Sequence, residues 1–67
     1  MTKKEQIEYV KEYITNCIES PWGQYFHYTE DEAEELLELK SFDEVKEIIR
    51  RADVRAYRAE EAACGCI

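Results

Sequence analysis

Glycine, proline and histidine are scarce in this sequence, which has two glycines, one proline and one histidine in 67 residues. So few turn-forming residues argue against a β-sandwich or β-barrel, which needs many tight turns. There is no glycine-rich phosphate loop, no Gly-x-Ser-x-Gly elbow and no His-Glu-x-x-His motif. His27 could pair with Cys17 as base and nucleophile, but Cys17 lies on an apolar helical stripe, where a free cysteine packs as a small hydrophobe. We therefore expect no enzyme, no catalytic residue and no cofactor.

Cations and long apolar runs are also in short supply. The chain has nine Lys and Arg residues and sixteen Asp and Glu residues, so its net charge is −7. This balance argues against direct binding of DNA, RNA or an anionic membrane, because phosphate contacts need cations. No run approaches the roughly 18 apolar residues of a membrane span, and no apolar signal segment precedes Lys3. With three cysteines, an odd number, we expect a reduced, cytoplasmic protein.

Three stretches carry the capping-box pattern, in which Glu follows a Ser or Thr by three residues: Thr2–Glu5, Thr29–Glu32 and Ser41–Glu44. Apolar residues then recur at helical spacing. The first stripe contains Ile7, Val10, Ile14, Cys17 and Ile18, the second Ala33, Leu36 and Leu37, and the third Phe42, Val45, Ile48, Ile49, Ala52, Ala56 and Ala59. The sequence therefore predicts helices at about 3–19, 30–39 and 42–61.

Three amphipathic helices with short links predict an all-α protein, a small three-helix bundle. Residues 1–61 form a single helical domain in this interpretation, and 62–67 form a flexible tail that contains cysteines. The connecting segment 20–28 is rich in aromatic residues. We expect Trp22 and Phe26 to close one end of the core, because rings bury large areas. Tyr25 and Tyr28 fit either the core or an interface.

Acidic residues are concentrated in the middle of the chain. Residues 30–47 hold nine acids and two bases, so this stretch alone carries a charge of −7. Like charges one helical turn apart oppose helix formation, and solubility alone does not require such clustering. A patch of one sign steers a basic partner. We therefore predict that the partner-binding residues are Glu30, Asp31, Glu34, Glu35 and Glu38, together with Tyr25 and Tyr28.

A rigid helix with outward carboxylates can imitate the phosphates of a nucleic acid. In size, acidity and helical make-up the chain resembles the small phage-encoded inhibitors, which include anti-CRISPR and anti-restriction proteins and some nucleic-acid mimics. The resemblance covers the whole chain and rests on no motif, so it transfers no residue. It implies an inhibitor or adaptor that docks its acidic helix on a basic, nucleic-acid-binding surface of a partner protein.

Two alternatives remain open. The first is a structural or oligomerisation module, with homodimerisation as one form, which uses the other face at Arg50, Arg51, Val54, Tyr57 and Arg58. The second is a thiol or zinc protein that uses Cys64 and Cys66. With Cys17 and His27 these complete a Cys₃His set, but a Cys-x-Cys gap is tighter than zinc sites usually have. We therefore predict no metal site, and the role of the two tail cysteines (redox, metal or lipidation) stays open.

Overall fold

The computed structural model describes residues 1–64, with the backbone alone at Cys64. The chain forms α1 (Lys3–Glu19), a short 3₁₀ turn (Gly23–Tyr25), α2 (Glu30–Leu39) and α3 (Phe42–Cys64). The all-α, three-helix prediction is confirmed, and residues 1–64 contain no strand. Both shorter helices have the predicted bounds. The third continues three residues past the predicted end, so residues 62–64, which we expected in a flexible tail, are helical.

The first capping box forms as predicted. The Glu5 amide donates to Thr2 Oγ1 at 3.2 Å, and the Thr2 amide donates to Glu5 Oε1 at 2.9 Å. Helix α1 ends at Glu19 because Pro21 excludes helical dihedrals at the preceding residue. That residue, Ser20, is the C-cap and is extended, with φ −69° and ψ 163°. The first helix is therefore fixed at both ends by its own sequence.

The other two caps differ from the predicted capping box. The Thr29 hydroxyl accepts no bond from an α2 amide and donates instead to Glu32 Oε1 at 3.3 Å. At Ser41 half of the box forms, since the Glu44 amide donates to Ser41 Oγ at 3.2 Å while the same hydroxyl donates to Glu44 Oε1 at 3.1 Å. The box at Thr29 was therefore a wrong prediction, and α2 begins without a side-chain cap.

The helices run up, down and up. Lys3 Nζ donates to the Leu37 carbonyl at 2.6 Å, and the Thr15 hydroxyl donates to Glu30, so α1 and α2 are antiparallel. The ring of Phe42, at the start of α3, lies 5.5 Å from that of Tyr9 in α1. The end of α1 and its following link lie beside the middle of α3, so α1 and α3 are parallel.

A thin core fills the space between the helices. Its buried side chains are Val10, Ile14, Cys17, Phe26, Ala33, Leu37, Val45, Ile49 and Ala56. All nine are apolar, and eight of them lie on the three predicted stripes. The other residues of the predicted stripes are half-buried, except Ile18, which is 43% exposed. Thr15 already lies beside the first residue of α2, so no helical residue of α2 stands opposite Ile18.

The aromatic segment closes the end of this core. Phe26 is buried, and Trp22 is half-buried and packs against the core, which confirms the predicted closure. Tyr25 and Tyr28 are also half-buried and pack against the core. The segment passes close to the end of α1, since a Cβ added at Gly23 would lie 1.8 Å from the Ile18 carbonyl oxygen. Only glycine allows this approach.

None of the helices in residues 1–64 combines the length and the apolar character needed to cross a bilayer.

Candidate protein-interaction surfaces

One surface consists of the five carboxylates on the outer side of α2, which we call the acidic face: Glu30, Asp31, Glu34, Glu35 and Glu38. All five side chains are exposed. Ala33 and Leu37, on the opposite side of the same helix, are buried against α1 and α3. Burial of the apolar stripe therefore fixes which way the carboxylates point.

The acidic face carries almost no compensating contacts. The Thr15 hydroxyl donates to Glu30, and no Lys or Arg nitrogen in residues 1–64 lies within ion-pair distance of any of the five carboxylates. Asp31 and Glu35, and likewise Glu34 and Glu38, are like charges one turn apart, which destabilises the helix by roughly 0.2–0.5 kcal/mol per pair. The face is thus a patch of uncompensated negative charge.

Tyr25 and Tyr28 lie between α2 and α3. They line a groove of about 310 Å³ together with His27, Glu32, Ala52 and Arg55. Of this lining only Glu32 comes from α2, and it is not part of the acidic face. We predicted that the two tyrosines act together with the carboxylates of the acidic face. They lie instead closer to α3 than to the outer side of α2.

A second surface lies on α3, and we call its residues the arginine face: Arg50, Arg51, Val54, Arg55 and Arg58. These five side chains line a groove of about 340 Å³. Val54 is 36% exposed, so it points away from the core as the sequence indicated. Tyr57, which we predicted at this surface, is 48% exposed but does not line this groove. Its ring lies edge-on to Trp22, with 4.9 Å between the ring centroids. Arg55 also lines this groove, although we did not predict it there. Its spacing of four residues from Arg51 and three from Arg58 could have identified it.

Glu47 compensates only part of the arginine face. Its carboxylate accepts from Arg50 Nε at 3.0 Å and Nη2 at 2.6 Å, and from Arg51 Nε at 3.2 Å. These bonds, first those from Arg50, lower the pKa of Glu47 to about 2. No carboxylate in residues 1–64 lies within ion-pair distance of Arg55 or Arg58. The C-terminal half of this face therefore has free positive charge.

Asp53 joins α3 to the aromatic segment and to α1. Its Oδ1 accepts from Trp22 Nε1 at 2.8 Å. Burial raises the pKa of the Cys17 thiol to about 12, and the Asp53 carboxylate adds to the effect through its charge and a hydrogen bond. Burial therefore favours the protonated thiol of Cys17 in the folded protein. We did not predict a role for Asp53. This acid lies four residues after Ile49 and three before Ala56, which are both core residues, and that position could have indicated a polar partner.

The thiol and zinc alternatives fall largely outside the described residues. Cys66 and the side chain of Cys64 are not among them. Within the part of the chain that the structure describes, no three His, Cys, Asp or Glu side chains are grouped to hold a metal ion. Cys17 is buried at one end of the bundle and His27 is exposed.

No protein-family model matches this chain, and neither the curated proteins nor the solved structures give a match.

Proposed function

We propose that this chain is a small protein-binding module, an inhibitor or adaptor, that docks its acidic face on a basic surface of a partner protein. The basic surface belongs to a nucleic-acid-binding protein, and the module occupies the place of the phosphates. The observation that carries this proposal is the row of five exposed carboxylates on α2, none of which has an ion-pair partner in residues 1–64.

The density of charge on α2 supports phosphate mimicry. From Glu30 to Glu38 the helix rises about 12 Å, so the five exposed carboxylates are spaced on average roughly 3 Å apart along its axis. Double-stranded DNA has one phosphate charge per about 1.7 Å of its axis. An arginine-rich groove shaped for a phosphate backbone therefore meets a comparable linear charge on α2.

The way α2 is held also supports the proposal. Its C-terminal end is tied to α1 by the bond from Lys3 Nζ to the Leu37 carbonyl, 2.6 Å long, and its first residue by the bond from Thr15 to Glu30. The buried Ala33 and Leu37 anchor the middle. A charged face on a fixed helix loses little conformational entropy on binding. Complementary potentials also raise association rates by about 10- to 1000-fold.

Affinity capture with matched variants tests the proposal. The wild-type chain, a Glu34→Lys/Glu35→Lys variant and a Glu8→Lys/Glu12→Lys variant serve as baits in extracts from the native host. Both variants change the net charge equally, but Glu8 and Glu12 lie exposed on α1. We expect a partner that the wild type and the α1 variant retain and that the α2 variant loses. A partner retained equally by all three baits argues against the acidic face.

Competition then tests the mimicry itself. The purified partner is titrated with the module in the presence of a nucleic-acid duplex that the partner binds. We expect the two ligands to exclude each other and the affinity of the module to fall steeply with salt. Simultaneous binding of module and duplex would show that the basic surface is not a nucleic-acid site.

A further inference from the structure

Three concave areas on one side of α3 meet at Arg55. This residue lines both the groove that holds the two tyrosines and the groove of the arginine face. It also lines a third groove, of about 190 Å³, together with Tyr28, Ile48, Arg51 and Ala52. Because the three areas share residues, they form one continuous surface, which we call the aromatic–arginine groove.

The floor of this groove is apolar and partly aromatic. Tyr28, Ile48 and Ala52 are all half-buried, and Tyr28 packs against the core beside Phe26, with 6.0 Å between the ring centroids. Ala52 contributes only a methyl group, so it leaves room between its larger neighbours. Since core packing holds the Tyr28 ring, a ligand side chain can pack on it with little further loss of conformational entropy.

The rim of the groove is positively charged. Arg51, Arg55 and Arg58 are exposed along one edge of α3. Glu47 already pairs with Arg51 at 3.2 Å, whereas no carboxylate in residues 1–64 lies within ion-pair distance of Arg55 or Arg58. Two guanidinium groups beside an apolar floor are therefore available to an anion, and guanidinium binds carboxylates in bidentate geometry.

The other end of the groove limits the kind of anion that fits. Glu32, in the first turn of α2, lines the same area as Arg55, and the acidic face lies on the same helix. A long polyanion laid across the tyrosines would reach these carboxylates and be repelled by them. A short ligand with its negative charge at the arginine end and an apolar group over Tyr28 avoids this repulsion.

We propose that the aromatic–arginine groove binds a short acidic peptide segment of another protein, in which an aromatic or aliphatic side chain lies beside carboxylates. The apolar side chain packs on Tyr28 and Ala52, and the carboxylates pair with Arg55 and Arg58. None of these residues belongs to the acidic face, so the inference does not rest on the proposed function. A chain with both contacts joins a basic partner to an acidic one, as an adaptor does.

Titration of the isotope-labelled chain, followed by nuclear magnetic resonance, tests the proposal with defined probes. The first probe is the end-blocked peptide Asp-Glu-Phe-Glu-Asp. A second peptide has serine in place of phenylalanine, and a third has asparagine and glutamine in place of the acids. The last probe is a uridine pentanucleotide of the same charge as the first peptide. Circular dichroism verifies the folding of each protein variant.

We expect the first peptide to bind most tightly and to shift the amide signals of Tyr28, Ala52 and Arg55. Arg55→Glu/Arg58→Glu should weaken its binding about tenfold, a loss of about 1.4 kcal/mol. Ala52→Leu fills the floor without a change of charge and should weaken it similarly. Lys4→Glu/Lys40→Glu makes the same charge change at exposed positions outside the groove, so at physiological salt it should leave the affinity nearly unchanged.

Three results would overturn the proposal. One is a wild type whose groove signals do not shift with the first peptide. Another is equal binding of the serine peptide, or equal binding by the Arg55→Glu/Arg58→Glu variant, because the apolar floor or the arginines would then contribute nothing. The third is a uridine pentanucleotide that binds more tightly through the same residues, which would assign the groove to single-stranded nucleic acid.

Discussion

The indole Nε1 of Trp22 donates a hydrogen bond to Oδ1 of Asp53 at 2.8 Å, and this bond links the aromatic segment to the middle of α3. The indole ring also lies edge-on to Tyr57, at an interplanar angle of 89°. Trp22 is the only tryptophan of the chain. Its fluorescence therefore reports directly whether this end of the bundle is closed.

Removal of the acceptor should loosen that end. We expect Asp53→Ala to lower the free energy of unfolding by about 1–2 kcal/mol, because a half-buried N–H loses a charged partner. Asp53→Asn keeps an oxygen acceptor and should cost less than half as much. Urea denaturation followed by tryptophan fluorescence measures both values. Equal losses in the two variants would mean that the hydrogen bond contributes little.

The two threonine caps should differ in their contribution to stability. Thr2→Ala removes a hydroxyl that accepts from the Glu5 amide and should cost about 1 kcal/mol. Thr29→Ala removes a hydroxyl that only donates to an exposed carboxylate, so its effect should stay within about 0.5 kcal/mol. Thermal and urea denaturation of both variants give the comparison. A larger loss at Thr29 than at Thr2 would contradict the observed capping.

Gly23 should not tolerate a side chain. The added Cβ in Gly23→Ala would lie 1.8 Å from the Ile18 carbonyl oxygen, so the backbone must move away from α1. We expect a loss of about 1–3 kcal/mol, as for other overpacked sites, with a shift in the Trp22 emission. The neighbouring Gln24 is exposed, and Gln24→Ala serves as the control within about 0.5 kcal/mol. Wild-type stability in Gly23→Ala would exclude this close approach.

Cys17 should make the protein sensitive to alkaline pH. Burial raises the pKa of its thiol from the usual 9.0 to about 12. Between these values the unfolded chain has lost a proton that the folded chain keeps, so the free energy of unfolding falls as pH rises. Below pH 9 the thiol is protonated in both states and contributes no slope.

Urea denaturation across this pH range measures the effect in a Cys64→Ser/Cys66→Ser background. Cys17→Ala in the same background should have a shallower slope, and the slope that remains comes from other groups, including Tyr13, whose pKa burial also raises. Identical slopes with and without Cys17 would show that the thiol ionises equally well in the folded protein.

Local signals in the sequence accounted for most of the helix boundaries. Ser20-Pro21 ended α1 and the apolar stripes oriented each helix, because both effects act within a few residues. The end of α3 was placed too early since Ala62 and Ala63 are strong helix formers and continue the helix. Exposure of Ile18 could not be predicted, because it depends on where α2 begins in space.

The candidate surfaces were only partly predictable for the same reason. The outward carboxylates of α2 follow from its apolar stripe alone. Arg55 could have been placed in the arginine face from its spacing, but the contact of Tyr57 with Trp22 joins segments that are far apart in sequence. Contacts between distant segments leave no periodic signal, so the sequence could not reveal them.

Four carboxylates of the acidic face, Asp31, Glu34, Glu35 and Glu38, form no hydrogen bond or ion pair with residues 1–64. The bundle is held together by apolar side chains on the other side of α2. In the proposed function, mutations at these four positions should change what the helix binds while folding is preserved. Because these positions are not needed to hold the bundle together, they also offer a place to graft a new recognition motif on an unchanged scaffold.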